Sequence, residues 1–339
     1  MAERAAGKVT LKDVAERVGV SISAVSLALK DHPRIAEDTK RRVQLAVDEL
    51  GYVGNIAGRA LRGKRVGAIA LIVPNTSSHV LTHTYFLHVL TGINEVAAAN
   101  DLQVVLSTNA DELHGEVAYD RVLRSGLVDG AVVTSAAVDD PGIAHLVRGG
   151  LPVVLLGRYP ELPEADSVFI DDLDAAVTAT EHLIVAHGRR RLAHLCGPQG
   201  HQSAIDRRDG FVQACEAHRI EPILVEGDYS EESGAAAADQ LAELGVDGVF
   251  AANDEMAFGA MRELAAAGVR VPADLAVIGY DDFGLSRVTT PSITTVHVPA
   301  VELARSAAAR LLKPVGITEA TPVPAPPEPH LVLRQSCGC

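Results

Sequence analysis

Apolar residues recur at two different periods along this chain, and the change of period divides it. Between residues 10 and 52 the period is helical. Leu11, Val14, Ala15 and Val18 fall at i, i+3, i+4 and i+7, one face of a first helix. Thr10 and Asp13 make a variant of the capping box at its start, and Gly19 breaks it. Ser21 is a good N-cap for a second helix, "ISAVSLALK", with Val25 and Leu29 predicted to face inward. A third helix is predicted from about Glu37 to Leu50, with Val43, Val47 and Leu50 inward and Gly51 at its C-terminal cap. Ala36 stands where Ser or Thr would cap better, a loss of roughly 1 kcal/mol. Two helices joined by a tight turn containing Gly describe a helix-turn-helix.

From Val66 onward the pattern changes to short apolar runs with amphipathic stretches between most of them. The runs are "VGAIALIVP", "QVVLST", "GAVVTS", "PVVLLG", "SVFI", "RLAHLCG", "ILVEG", "GVFAA", "LAVIGY" and "ITTVHV", with a last strand in "HLVLRQS". This alternation predicts βαβ units and parallel sheets. "VDGAVVTS" at 128–135 echoes "VDGVFAAN" at 246–253, and the strand after Arg65 echoes the strand after Arg191. Two similar α/β halves facing each other make a cleft. The stretch between head and body, "GYVGNIAGRALRGKR", is basic, rich in Gly and without an apolar face, so it reads as a linker that is weakly helical by itself. The predicted division is a head at 1–53, a linker at 54–65 and a body at 66–339. The body's halves are placed at about 66–166 with 294–322 and about 167–293 with 323–339.

Charge sharpens this division. Residues 1–65 hold 13 Lys and Arg against 8 Asp and Glu, whereas the remainder holds 17 against 36. A basic head on an acidic body predicts that only the head meets a polyanion, although a solvated charge face would look the same. No apolar run approaches the roughly 20 residues needed to span a bilayer, and the first residues carry no apolar signal region. The expectation is a cytoplasmic protein. The four cysteines at 196, 215, 337 and 339 make no paired framework and read as reduced thiols. The C-G-C that Cys337 and Cys339 form would need partners to complete a four-ligand zinc site.

No catalytic constellation stands out. G-x-S-x-G, G-x-x-x-x-G-K-[ST] and C-x-x-C are all absent, and the expectation is a protein that is neither enzyme nor cofactor carrier. His79 and His83 are four apart in a predicted loop without a nearby carboxylate, and His182 and His187, five apart, do not share a helical face. No metal site is therefore predicted. Polar residues gather instead at the carboxyl ends of the strands: Asn75, Ser107 to Asn109, Thr134 and Ser135, Arg158, Asn253 and Asp254, and Asp281 and Asp282. Turn chemistry alone favours some Asn and Asp there, but ligands in such sheets bind at those ends.

"VTLKDVAERVGVSISAVSLALK" followed by "TKRRVQLAVDELGYVGNIAGRALRGKR" closely resembles the head of the LacI family of bacterial transcription regulators. In the body, "DRRDGF", "AANDEMAFGAMREL", "VPADLAVIGYDD" and "PSITTV" resemble the same family's effector domain. The resemblance implies a small all-α helix-turn-helix head and an α/β body of two doubly wound subdomains with a type I periplasmic-binding-protein-like fold. It further implies a repressor that binds near-palindromic double-stranded operator DNA and answers to a small-molecule effector. The second helix would lie in the major groove, with Ile22 and Leu27 on thymine methyls, Ser23 on base edges, and Ser21, Ser26 and Lys30 on phosphates. Thr10, Leu11, Asn55 and Arg59 join the implied DNA contacts. Leu61 would wedge into the central step through the minor groove. Three positions depart from the family pattern: Leu27 replaces a common Arg, Gly54 a common Pro and Gly58 a common Ala.

In the body the resemblance assigns Arg207, Asn253 and Asp281 to polar effector contacts and Tyr85, Thr134 and Tyr229 to the pocket, and Arg158 joins them. "HTYF" replaces the family's N-P-F-F and follows a longer "TSSHVLT". Arg offers a fork of donors, and Asp and Asn accept from hydroxyls, which suits a sugar or polyol, while a nucleobase stays open. The bland alternative for Arg207 and Asp281 is a salt bridge holding the cleft, and both roles are compatible. Because no heptad segment follows the last strand, the expected assembly is a homodimer.

Overall fold

The helical period at the start of the chain becomes three helices, α1 (Leu11–Val18), α2 (Ile22–Ala28) and α3 (Glu37–Leu50), in the computed structural model. The structure describes residues 9–29, 31–52, 65–109, 117–320 and 322–339, with only the backbone at 78 and 79. The chain divides into two units, Met1–Val66 and Gly67–Cys339. In the first, Val14, Ala15, Val18, Val25, Ala28, Val43 and Ala46 form a core, and Leu11, Val47 and Leu50 pack against it. Leu29, predicted to face inward, is 39% exposed, and Ala28 takes the inward place. The Thr10 amide and hydroxyl both donate to the Asp13 carboxylate at 2.7 Å, which fixes the start of α1. Ser21 caps α2 by accepting from the Ala24 amide at 3.1 Å. Ala36 caps nothing with its side chain, and Gly51 ends α3 in the left-handed conformation that glycine adopts without penalty. Arg42 donates to the Val18 carbonyl at 2.7 Å and ties α3 to the end of α1.

The second unit holds two sheets. Strands β1 (Ala68–Thr76), β2 (Gln103–Asn109), β3 (Gly130–Thr134), β4 (Val153–Leu156) and β5 (Asp166–Val168) form the first, in the order β2-β1-β3-β4-β5. Strands β6 (Leu192–Leu195), β7 (Ile223–Val225), β8 (Gly248–Ala251), β9 (Ala276–Asp281), β10 (Thr294–His297) and β11 (His330–Val332) form the second, in the order β11-β10-β9-β8-β6-β7. All neighbours are parallel except β10 and β11. Counted within each lobe, both sheets run second-first-third-fourth-fifth, the doubly wound order whose switch point lies between the first and third strands. The echoing sequences at 128–135 and 246–253 are the third strand of each lobe, β3 and β8. Burial explains their composition: every residue of β3 and β8 is buried, as parallel strands covered on both faces require.

Sheet membership moves two predicted boundaries. Strand β10 pairs with β9, so residues 294–297 belong to the second lobe and not the first. Strand β5 pairs with β4 as far as Val168, so 167 and 168 belong to the first lobe. The chain crosses between lobes after β5, after β10, and before β11. The helix Ala300–Leu312 returns to the first lobe and packs on the helix Thr84–Ala99, where a Cβ at Gly92 would stand 2.2 Å from the Val301 carbonyl. His79 lies in a short helix, Ser77–Thr82, and not in a loop. Among the described residues no helix is long and apolar enough to cross a membrane.

Candidate functional site

The carboxyl ends of both sheets open onto one cavity of about 170 Å³. Tyr85, Thr134, Arg158, Arg207, Tyr229, Asn253 and Asp281, the residues expected from sequence to meet an effector, all lie on its wall. In the first lobe the Tyr85 hydroxyl is 3.3 Å from Thr134 Oγ1. Burial pushes the Tyr85 phenol up to about 12, so it stays a neutral donor and acceptor. The Tyr159 hydroxyl accepts from the Ala136 amide at 3.2 Å. Phe169, where the chain leaves β5, keeps 49% of its surface exposed on the cavity wall.

In the second lobe Arg207, on the helix Gln202–Ala217, is held on three sides. Its Nε donates to Asp172 Oδ1 at 2.9 Å, its Nη1 donates to the Ala252 carbonyl at 2.7 Å, and its guanidinium lies 3.7 Å from the centre of the Tyr280 ring. The Tyr280 hydroxyl donates to the same Asp172 oxygen at 2.7 Å. Arg207 thus makes its ion pair with Asp172, and not with Asp281 as in the salt-bridge alternative. Asp281 has no hydrogen-bond partner for its carboxylate among the described residues. Burial holds that carboxyl well above the usual range, with the Arg207 charge pulling the other way. Asn253 caps the helix Asp254–Ala266 by accepting from the Met256 amide at 2.9 Å, and its amide donates to the Tyr229 carbonyl at 2.8 Å. It therefore positions Tyr229 as well as facing the cavity.

The backbone is strained where these groups converge. Ser135, Tyr229 and Asp281 have φ of 53°, 72° and 111°, a region that side chains other than glycine rarely adopt, and all three line the cavity. Gly197 makes room for Tyr229, since a Cβ there would lie 2.4 Å from the ring. Hydrogen bonds among the described residues cross the cleft. Arg158 donates to both oxygens of Asp206, and the Val138 amide donates to the Gly200 carbonyl at 2.8 Å. Gln202 donates to Asp206 at 2.8 Å.

In the first unit, α2 presents a surface poor in charge. Ile22 is 48% exposed, Ser21 and Ser23 are exposed, and Ser26 and Leu27 are half-buried. The Ser21 hydroxyl is engaged as the cap, Thr10 is engaged with Asp13, and Leu11 packs on the core, so the side chains of all three are already occupied. Asn55, Arg59 and Leu61, and also Lys30, lie outside the described residues.

Residues 10–55 match the model of the bacterial regulatory proteins, lacI family, and residues 180–337 match the model of the periplasmic binding protein-like domain. The transcriptional regulator CelR of Thermobifida fusca is 33% identical over 334 residues, covering 96% of this chain and 98% of that protein. This chain belongs to the LacI family. Its relatives are transcriptional regulators and not enzymes. The LacI-family fold extends to solved structures. The lac repressor dimer bound to operator and the anti-inducer ONPF matches with a TM-score of 0.84 and 27% identity, over 98% of this chain and 99% of that one. A CelR–cellobiose complex matches with a TM-score of 0.72 and 31% identity, over 97% and 99%.

The LacI resemblance did not single out Asp172, Asp206, Phe169 or Tyr280. Asp172 follows the crossing from β5 and Asp206 sits in the first turns of a helix, so neither is at a strand end where polar residues drew attention. The only sequence signal for Asp172 is the "DD" before a helical run, which reads equally as capping.

Proposed function

We propose that this LacI-family regulator is an operator-binding repressor, acting as a homodimer, whose DNA affinity is set by a sugar or sugar derivative in the cleft. The observation that carries the reading is Asp281. Its carboxylate lies in the cavity without a hydrogen-bond partner among the described residues, near the Arg207–Asp172 pair and in a cavity that also exposes Phe169. A carboxyl group exchanges hydrogen bonds with sugar hydroxyls, a guanidinium donates to them, and an aromatic face covers the apolar side of a pyranose ring. The relative solved with cellobiose supports the same class.

A dimer would place two α2 helices on the half-sites of a near-palindrome. Ile22 and Leu27 would touch thymine methyls, Ser23 base edges, and Leu61 would wedge the central step. Effector binding changes how the two lobes meet and so couples the cleft to the operator. The test is a thermal-shift and calorimetric screen of cellobiose, monosaccharides, polyols and nucleobases, with operator affinity measured by fluorescence anisotropy. A sugar should raise the melting temperature and change operator affinity by about 5- to 150-fold, the range of ordinary allosteric coupling. Asp281→Ala should lose both effects and keep operator binding. A protein that responds to a nucleobase and ignores every sugar would overturn the reading.

A further inference from the structure

Two histidines that an α-helix would point apart are brought together by a π-turn. Residues His182–Ala186 continue the helix Asp172–Glu181 with π-type bonding, which joins residues five apart. His182 Nε2 and His187 Nε2 are 3.1 Å apart. Cys339 Sγ lies 3.4 Å from each of these nitrogens, and Cys337 Sγ lies 3.7 Å from His182 Nε2. All four donor atoms fall within 4.8 Å of one another. The expectation that His182 and His187 share no face, and that the C-G-C lacks partners, is corrected by this one irregular turn.

We propose that His182, His187, Cys337 and Cys339 form a structural binding site for a thiophilic divalent cation, zinc in the first place. Zinc bonds of about 2.0–2.1 Å to nitrogen and about 2.3 Å to sulfur, set tetrahedrally, require donor separations of roughly 3.3–3.8 Å. The three nitrogen–sulfur separations, 3.4, 3.4 and 3.7 Å, already lie there, and the His182–His187 distance of 3.1 Å needs to open only slightly. Two imidazoles and two thiolates make a closed set with no open position, which is the pattern of structural and not catalytic zinc.

The surroundings are built for it. Cys337 is fully buried, and its sulfur accepts from the Thr294 hydroxyl at 3.0 Å, an outer bond that would steady a thiolate ligand. The turn carrying it is fixed by Ser336, whose hydroxyl accepts from the Thr294 amide at 2.8 Å and donates to the Val277 carbonyl at 2.6 Å. Gly338 has a φ of 104°, which lets the chain turn back between the two cysteines, and a Cβ there would meet the His187 ring at 3.4 Å. The cation would pin segment 335–339 to the end of the helix that begins at Asp172.

The full-length protein, reduced and stripped with EDTA, should take up one zinc per chain in competition with a chromophoric zinc indicator. Cobalt(II) in its place should give the intense visible bands of a tetrahedral ion and thiolate charge transfer in the near ultraviolet. Cys339→Ser, at an exposed position, should leave the fold intact and weaken zinc binding by roughly 100-fold, and Thr294→Val should weaken it by about tenfold. Substoichiometric uptake, a six-coordinate cobalt spectrum, or unchanged affinity in Cys339→Ser would overturn the site. So would a Cys337–Cys339 disulfide that, once reduced, leaves a protein taking no zinc.

Discussion

Arg158, at the end of β4 in one lobe, grips both carboxylate oxygens of Asp206 on a helix of the other, with Nε 2.9 Å from Oδ2. A two-pronged pair of this kind fixes orientation as well as distance. Asp206 is buried, whereas 40% of the Arg158 side chain meets solvent, so screening reduces what the pair contributes. Arg158→Gln is expected to lower stability by about 1–2 kcal/mol, as a lost hydrogen bond to a charged group does. Asp206→Asn should do the same, and the double variant should lose less than the two single losses together. Urea midpoints of the four proteins check this, and strict additivity would show that the pair does not act as a unit.

Asp254 gives stability a pH dependence. Burial pushes its carboxyl up to about 8, helped by the charges of Glu255 and Asp282, while the bond from the Asp282 amide at 2.9 Å pulls it down. The folded protein therefore keeps this proton over a range in which the unfolded chain has released it. Its contribution is fully present below about pH 4, is lost as pH rises towards about 8, and stays lost above. Asp254→Asn, neutral throughout, should gain stability relative to the parent at about pH 9 compared with about pH 5. Equal differences at the two pH values would mean that Asp254 ionises normally.

Gly197 tests the role of Tyr229 without replacing any polar side chain. Its φ is ordinary, and the obstacle to a side chain is the Tyr229 ring, 2.4 Å from where a Cβ would sit. Gly197→Ala should cost about 1–3 kcal/mol by overpacking and move the ring. Sugar affinity should fall by about tenfold or more as the ring moves, with operator binding in the absence of sugar retained. Undiminished sugar binding would take Tyr229 out of the contact set.

Leu27 offers the complementary test in the head. It is half-buried on α2, at a position where the family resemblance implies Arg. Leu27→Arg should create a guanine preference worth about 1–3 kcal/mol at one operator base pair, because a guanidinium bonds both guanine acceptors. Base-by-base operator substitution, read by anisotropy, measures it. A dominant guanine opposite Leu27 in the parent protein would contradict the expected apolar contact.

The two lobes were legible because parallel strands buried on both faces leave unbroken apolar runs, and the repeat of 128–135 at 246–253 marks equivalent strands. The wall of the cavity was legible for the residues at strand ends and those the family marks. Asp172 and Asp206 were not, since their partners stand 35 and 48 residues away and pairing at that range leaves no local pattern. Leu29 misled because α2 ends at Ala28 and turns its last large residue outward. The His182–His187 pair was hidden by the assumption of an unbroken α-helical period, which one π-turn invalidates.

The crossings between the lobes differ in length. Residues 169–171 and 298–299 each lead from a strand of one lobe straight into a helix of the other, and the segment from 313 to 329 is long and rich in Pro. Two short tethers oppose sliding of one lobe along the other and favour rotation between them. Phe169 and Val298 lie on those tethers and also on the cavity wall. In the proposed function, a ligand seated there would press on the axle itself, and its size and shape would set the angle between the lobes.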